Sequence, residues 1–167
     1  APTVAECEQI CQAARDADTY LMVGHVCRFN PRCIAAQKAI AAGSIGRVVS
    51  LNGRRNVPAA WAENALNKVS PISDTAIHDT DLMLWFTGAR VVSAYAQTVD
   101  LRGLKYPDIG QTMYRFDTGA TATLETVWCM PEKTPFDIDE RMSIICSDGI
   151  IHIQDTFPNF GICNADG

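Results

Sequence analysis

Asp74, His78 and Asp81, within SDTAIHDTDLMLW (73–85), are the residues whose types and spacing could do chemistry. At about 100° per residue they share one narrow helical stripe with Trp85. Ala76, Ile77, Thr80, Met83 and Leu84 gather on another side, suited to packing on a sheet. A carboxylate one turn before an imidazole can hold its tautomer and favour its protonated form, as general acid–base chemistry requires. Plainer readings compete. Ser73 is a good N-cap, a first-turn Asp is favoured by the helix dipole, and a lone His is commonly a hydrogen-bonded structural group. His and two Asp are also plausible metal ligands. Neither VGHV (23–26) nor IIHIQ (150–154) offers a further ligand, so no metal is expected.

The elements that must position this helix are legible from periodicity. Thr3-Val4-Ala5-Glu6 is a capping box, so a helix starts near Val4 and runs through Ala17, with Val4, Cys7, Cys11 and Ala14 at helical spacing. YLMVGHV (20–26) is a nearly continuous apolar run, as in a strand buried on both faces of a parallel sheet. Helix then buried strand is the tail end of an α/β unit. Pro31 opens a second helix reaching about Ala42, closed by Gly43 and Gly46. From Arg47 the period becomes 2, giving strands over 47–56, 90–99, 111–117, 120–130, 141–146 and 150–154. DTG (117–119) and SDG (147–149) are hairpin turns. A long polar loop (57–72) and the 74–86 helix fall between the first two strands. The expected class is α+β: an open, largely antiparallel sheet with helices on one face, after the last helix and strand of an α/β domain. The boundary lies near residue 30, dividing 1–30 from 31–167.

Composition excludes some classes. The chain is 47% hydrophobic and 20% charged, with net charge −5, so disorder and a basic nucleic-acid surface are both disfavoured. No apolar run reaches the roughly 18 residues that span a bilayer. Seven cysteines, an odd number without a C-x-x-C pair, suggest reduced thiols in a cytoplasmic protein. Cys7 and Cys11 are expected to be buried small apolar residues rather than half of a metal site. The opening APTVAECEQI has no initiator Met, and the ending NFGICNADG looks cut, so a fragment or processed product is expected.

VGHVCRFNP, followed at a distance by DTAIHDTDLMLWFTG, resembles the Gfo/Idh/MocA oxidoreductases. TLETVWCMPEKTPFDIDERMSIICSDGIIHI is similar to that family's closing hairpins, and APTVAECEQICQAARDA to the helix after its Glu-Lys-Pro motif. The resemblance covers nearly the whole chain. It implies a Rossmann dinucleotide-binding domain followed by an α+β domain whose sheet mediates homodimer or homotetramer contacts. It places the family's catalytic Asp and His on Asp74 and His78. His78 would exchange a hydroxyl proton with a sugar or polyol, Asp74 would orient it, and the cofactor would be NAD or NADP. The sequence departs from the pattern in having neither G-x-G-x-x-G nor Glu-Lys-Pro. The expectation is therefore the C-terminal part of such an enzyme, inactive alone, with the cofactor bound mainly by a domain before Ala1.

His25, Arg28 and Asn30 follow the 20–26 run, where α/β sheets place ligands, and the resemblance puts them near nicotinamide and substrate. Asn30-Pro31 simply starting a helix, and Arg28 in a surface ion pair, are the plain alternatives. Asn56 and Asp81 complete the candidate set. Arg54 and Arg55 should lie on opposite faces, one at the surface and one at an interface. Trp128 should be core or interface, Tyr106 an exposed loop residue, and His152 should face solvent or a neighbouring strand. Trp61 is either lid or local core. An apolar sheet face without enough helices to cover it predicts a homodimer or larger. Two further readings remain open: a non-catalytic ligand-binding or assembly module, and metal-dependent sugar isomerisation.

Overall fold

A computed structural model describes residues 3–62, 65, 67–135 and 137–154, so Cys163 and the 159–167 ending lie outside the described residues. Helix α1 (Val4–Asp16) begins at the expected capping box: the Glu6 N–H donates to Thr3 Oγ1 at 3.2 Å, and the Thr3 N–H to Glu6 Oε2 at 3.0 Å. It buries no residue, so Cys7 and Cys11 are exposed thiols rather than core groups. Their spacing is helical, but no described element covers their side of α1.

Residues 20–25 form no strand. Met22 is 84% and Val23 68% exposed. A strand exists through its neighbours' hydrogen bonds, and no described strand lies beside this run. A 3-10 turn (Val26–Phe29) leads into α2 (Pro31–Ala41), where Pro31 occupies the first turn and Asn30 accepts from the Arg32 N–H at 2.9 Å.

The sheet is as the period-2 pattern requires. Strands β1 (Val48–Asn56), β2 (Val91–Val99), β3 (Ile109–Phe116), β4 (Thr121–Val127), β5 (Asp139–Cys146) and β6 (Ile150–Gln154) align in the order β2-β3-β4-β1-β5-β6. Among these strands β1 and β4 pair in parallel, and the other four pairings are antiparallel. DTG turns the β3–β4 hairpin, with Gly119 at φ +87° where a side chain would be strained. Between β1 and β2 the expected loop holds two short helices, α3 (Ala59–Ala62) and α4 (Pro71–Asp74), before α5 (Ala76–Thr87).

Helices α2 and α5 cover one sheet face. Cys33, Ala36, Leu82, Met83 and Phe86 meet Leu51, Phe116, Leu124, Met142 and Ile144 there, all at most 4% exposed. Each large side chain so buried is worth roughly 1.5–3 kcal/mol. The buried side of α5 differs from expectation: it carries Ala76, Asp79, Leu82, Met83 and Phe86, while Ile77 is exposed. The uncovered sheet face also differs. By alternation it presents Asn52, Arg54, Gln111, Thr121 and Thr123, and is apolar at the β2–β3 corner, where Tyr95 pairs with Met113, and at the far edge, where Ile145 pairs with Ile150.

A second cluster, of Val57, Ala62 and Trp128, is joined by Tyr106 and lies beneath the loops. Trp128 is therefore core, Tyr106 is half-buried, and Trp61 is exposed. The β2–β3 connection is organised by Asp108, which is 0% exposed. Its Oδ2 accepts from the N–H groups of Leu101 (2.8 Å) and Arg102 (3.1 Å), and the Arg102 guanidinium donates to Oδ1. Burial opposes the charge, but these donors outweigh it and hold the carboxyl below its ordinary range. A folded-state pKa below the unfolded one stabilises the fold above about pH 4, and that stability is lost as pH falls through the folded value. Asp108→Asn is thus expected to cost about 1–3 kcal/mol at neutral pH. The gap from wild type should shrink below about pH 4 in urea titrations. A gap unchanged at pH 3 would contradict this account.

Candidate functional site

The α4–α5 junction sets the geometry of the predicted stripe. Ser70, not Ser73, caps α4, and the expected continuous helix breaks at Thr75. Thr75 Oγ1 donates back to the Pro71 carbonyl (3.1 Å) while accepting the Trp128 indole N–H (2.9 Å). Such back-bonding bends helices, and the His78 N–H consequently meets the Thr75 carbonyl three residues back (3.2 Å). On β3, Gly110 leaves room for Ile72: a Cβ there would lie 2.5 Å from Ile72 Cγ1. Trp128 and Gly110 together fix where α4 ends and α5 begins.

Asp74 ends α4, exposed, and no hydrogen bond or ion pair links its carboxylate to His78. His78, one turn on, is half-buried, and its Nδ1 is fully buried without a hydrogen-bond partner. Among the described residues no other histidine has such a nitrogen. Asp81 is 6% exposed and gripped from outside the helix. Arg28 Nε and Nη2 donate to its two oxygens at 2.7 Å each, and His25 Nε2 lies 3.6 Å from Oδ1. The Arg28 guanidinium also stands 5.6 Å over the Trp85 ring. The stripe thus faces away from the sheet, and its C-terminal half meets the 25–29 segment.

The structure therefore brings His25, Arg28 and Asp81 together beside α5. It does not join Asp74 to His78, and it gives Asn30 and Asn56 other partners. Asn30 caps α2. Asn56, 6% exposed, donates to Glu125 and accepts from the Val127 N–H, both at 2.9 Å. His152 is exposed and bonds Ser143 across the β5–β6 pair.

Arg55, Asp79 and Glu140 form a site that periodicity did not single out. Arg55 does lie on the opposite face from Arg54, but in the core, 7% exposed, rather than at a surface or interface. Its Nε and Nη2 reach Asp79 at 2.7 and 3.2 Å, Nη1 reaches Glu140 at 2.9 Å, and Nη2 points at Cys27 Sγ at 3.8 Å. Burial works against the guanidinium's charge, yet these carboxylates keep it firmly protonated. Burial pushes the Asp79 carboxyl up, and Arg55 pulls it back. The signal was present: Asp79 interrupts an apolar series at 76, 83 and 86, and Arg55 follows Leu51 and Gly53 on the inward side of β1. No group of three or more His, Cys, Asp or Glu among the described residues could hold a metal ion. No helix among them is long and apolar enough to cross a membrane.

A six-stranded sheet, helix-backed on one face, with an orphaned histidine on the covering helix, is an α+β domain of a recognisable kind. The chain belongs to the Gfo/Idh/MocA family, whose C-terminal domain matches residues 33–152. It is 31% identical to inositol 2-dehydrogenase 2 of Saccharopolyspora erythraea over 118 residues, 68% of this chain and 33% of that protein. It is 27% identical to the NAD(+)-dependent scyllo-inositol 2-dehydrogenase of Bacillus subtilis over 157 residues, 90% of this chain and 45% of that one. The fold matches the WlbA dehydrogenase of Bordetella pertussis, solved with NADH and UDP-GlcNAcA, with a TM-score of 0.81 at 22% identity over 93% of this chain and 49% of that one. The chain thus spans less than half the length of each.

Proposed function

We propose that this chain is the substrate-binding and assembly part of an NAD(P)-dependent oxidoreductase acting on a hydroxyl or carbonyl carbon of a sugar or cyclitol. The orphaned Nδ1 of His78 carries the reading. A buried ring nitrogen without a partner costs about 1–3 kcal/mol, and a catalytic role is one of the physical reasons for keeping such a group. With Nδ1 buried, Nε2 is the nitrogen that meets a ligand, and there His78 takes the hydroxyl proton in oxidation and returns it in reduction. Asp74, exposed one turn before His78, stands where it would orient the substrate. His25 and Arg28 border the site, with Asp81 holding Arg28 in place, while Asn30 and Asn56 support it from α2 and β1. The chain has no strand–G-x-G-x-x-G–helix unit, so its residues do not by themselves fit a dinucleotide pyrophosphate. NAD or NADP would be held mainly by a separate domain, and the contribution of this chain is the proton.

Residues 1–30 fit that separate domain and 31–167 the substrate domain: the 20–25 run is apolar and unpaired, and the family match begins at residue 33. The reduced thiols fit a cytoplasmic protein. The test is His78→Ala in the full-length enzyme. Turnover lost with an unchanged unfolding midpoint supports the reading, and unchanged turnover leaves only a binding or assembly module.

The open sheet face suits a second copy. Tyr95 and Met113 are 59% and 56% exposed at its apolar corner, beside a shallow cleft of about 410 Å³. Polar groups around that corner suit a rim. Sedimentation of the full-length protein should give a dimer or tetramer, and Met113→Lys should shift it toward monomer. A monomer across micromolar concentrations would count against it.

A further inference from the structure

We infer that the buried Arg55–Asp79 pair is the positioning device for His78, an inference that rests on the proton-transfer role proposed for that residue. Asp79 follows His78 directly, about 100° further round α5, and points into the sheet toward Arg55 on β1, with 1% exposure. Whatever fixes Asp79 therefore fixes the rotation of α5 about its axis, and with it the direction of the imidazole. The fixing group is a planar fork. Arg55 engages both Asp79 oxygens, then spans to Glu140 on β5 and Cys27 in the 25–29 segment. One guanidinium thus ties the helix bearing His78 to β1, β5 and the segment that carries His25 and Arg28.

Stability alone does not explain such a pair. Burying two charges is commonly no better than burying well-packed apolar groups of similar size. Apolar contacts are also not directional, and a helix held by Met83 and Phe86 alone could settle several degrees either way. A bidentate Arg–carboxylate contact allows one rotation. A displacement of about 1 Å at a reacting group can cost about a hundredfold in rate.

The test uses the full-length enzyme and two variants. Arg55→Lys keeps the charge but replaces the fork with a single ammonium. The double variant Arg55→Met/Asp79→Leu removes both charges and leaves an apolar contact. Both should lower kcat by about tenfold to a hundredfold with KM nearly unchanged, the mark of lost transition-state alignment. The double variant should do so while keeping a wild-type unfolding midpoint. Wild-type kcat in the folded double variant would overturn the inference. If the double variant does not fold, wild-type kcat in Arg55→Lys does the same. His78→Ala, run beside them, separates the two failures. Turnover lost in His78→Ala but intact in both Arg55 variants rejects only the positioning role. Turnover intact in His78→Ala removes the proton-transfer reading and this inference with it.

Discussion

His78→Ala in the full-length enzyme is expected to lower kcat by about 10²–10⁴-fold, the range that a positioned general acid–base contributes. The fold should survive the change. The ring is half-buried and Nδ1 makes no hydrogen bond, so removing it deletes an unsatisfied group rather than a bond. His78→Gln sharpens the result, since it keeps a polar side chain of similar reach but cannot carry the proton. It should be nearly as slow as the alanine variant. Asp74→Asn should cost less than either, because this structure shows no bond between Asp74 and the imidazole. If Gln restored turnover, His78 would be a hydrogen-bonding group to substrate and not the proton carrier.

How much of this was legible beforehand depends on whether the signal was local. All six strands, both hairpin turns and the capped starts of α1 and α2 follow from period-2 alternation and cap chemistry written within a few residues. The 20–26 run forms no strand here because strand pairing is not local: its apolar content is right for a buried strand, yet no described neighbour supplies the hydrogen bonds. The helix break at Thr75 depends on the Trp128 indole, 53 residues away. The stripe of Asp74, His78 and Asp81 was visible as a pattern, but its partners were not. Only folding shows that Asp81 meets Arg28 and that Asp74 stands apart from His78. The Arg55–Asp79–Glu140 network lay in plain view as charges at core-facing positions. Helical periodicity does not single it out, because Asp79 lies off the stripe of Asp74, His78 and Asp81.

That network also sets the largest expected effect on stability. Arg55→Met leaves Asp79 buried with no cation, and breaking one side of a buried pair costs about 3–5 kcal/mol. Arg55→Met/Asp79→Leu removes the problem along with the interaction, and should unfold within about 1 kcal/mol of wild type. The single variant should carry a pH signature that the double variant lacks. In the intact protein burial already pushes the Asp79 carboxyl up and Arg55 opposes it; without Arg55, burial acts with the negative charge of Glu140, and only the weaker influence of His78 still opposes it. A carboxyl whose folded pKa lies above the unfolded value of about 3.9 binds more protons when folded. Stability then falls as pH rises from about 4 through the folded value, the opposite direction from Asp108. Urea denaturation of Arg55→Met at pH 4.5 and 7.5 should show the greater loss at pH 7.5, while the double variant should follow wild type at both. Equal losses at the two pH values would mean that Asp79 finds another donor once Arg55 is gone.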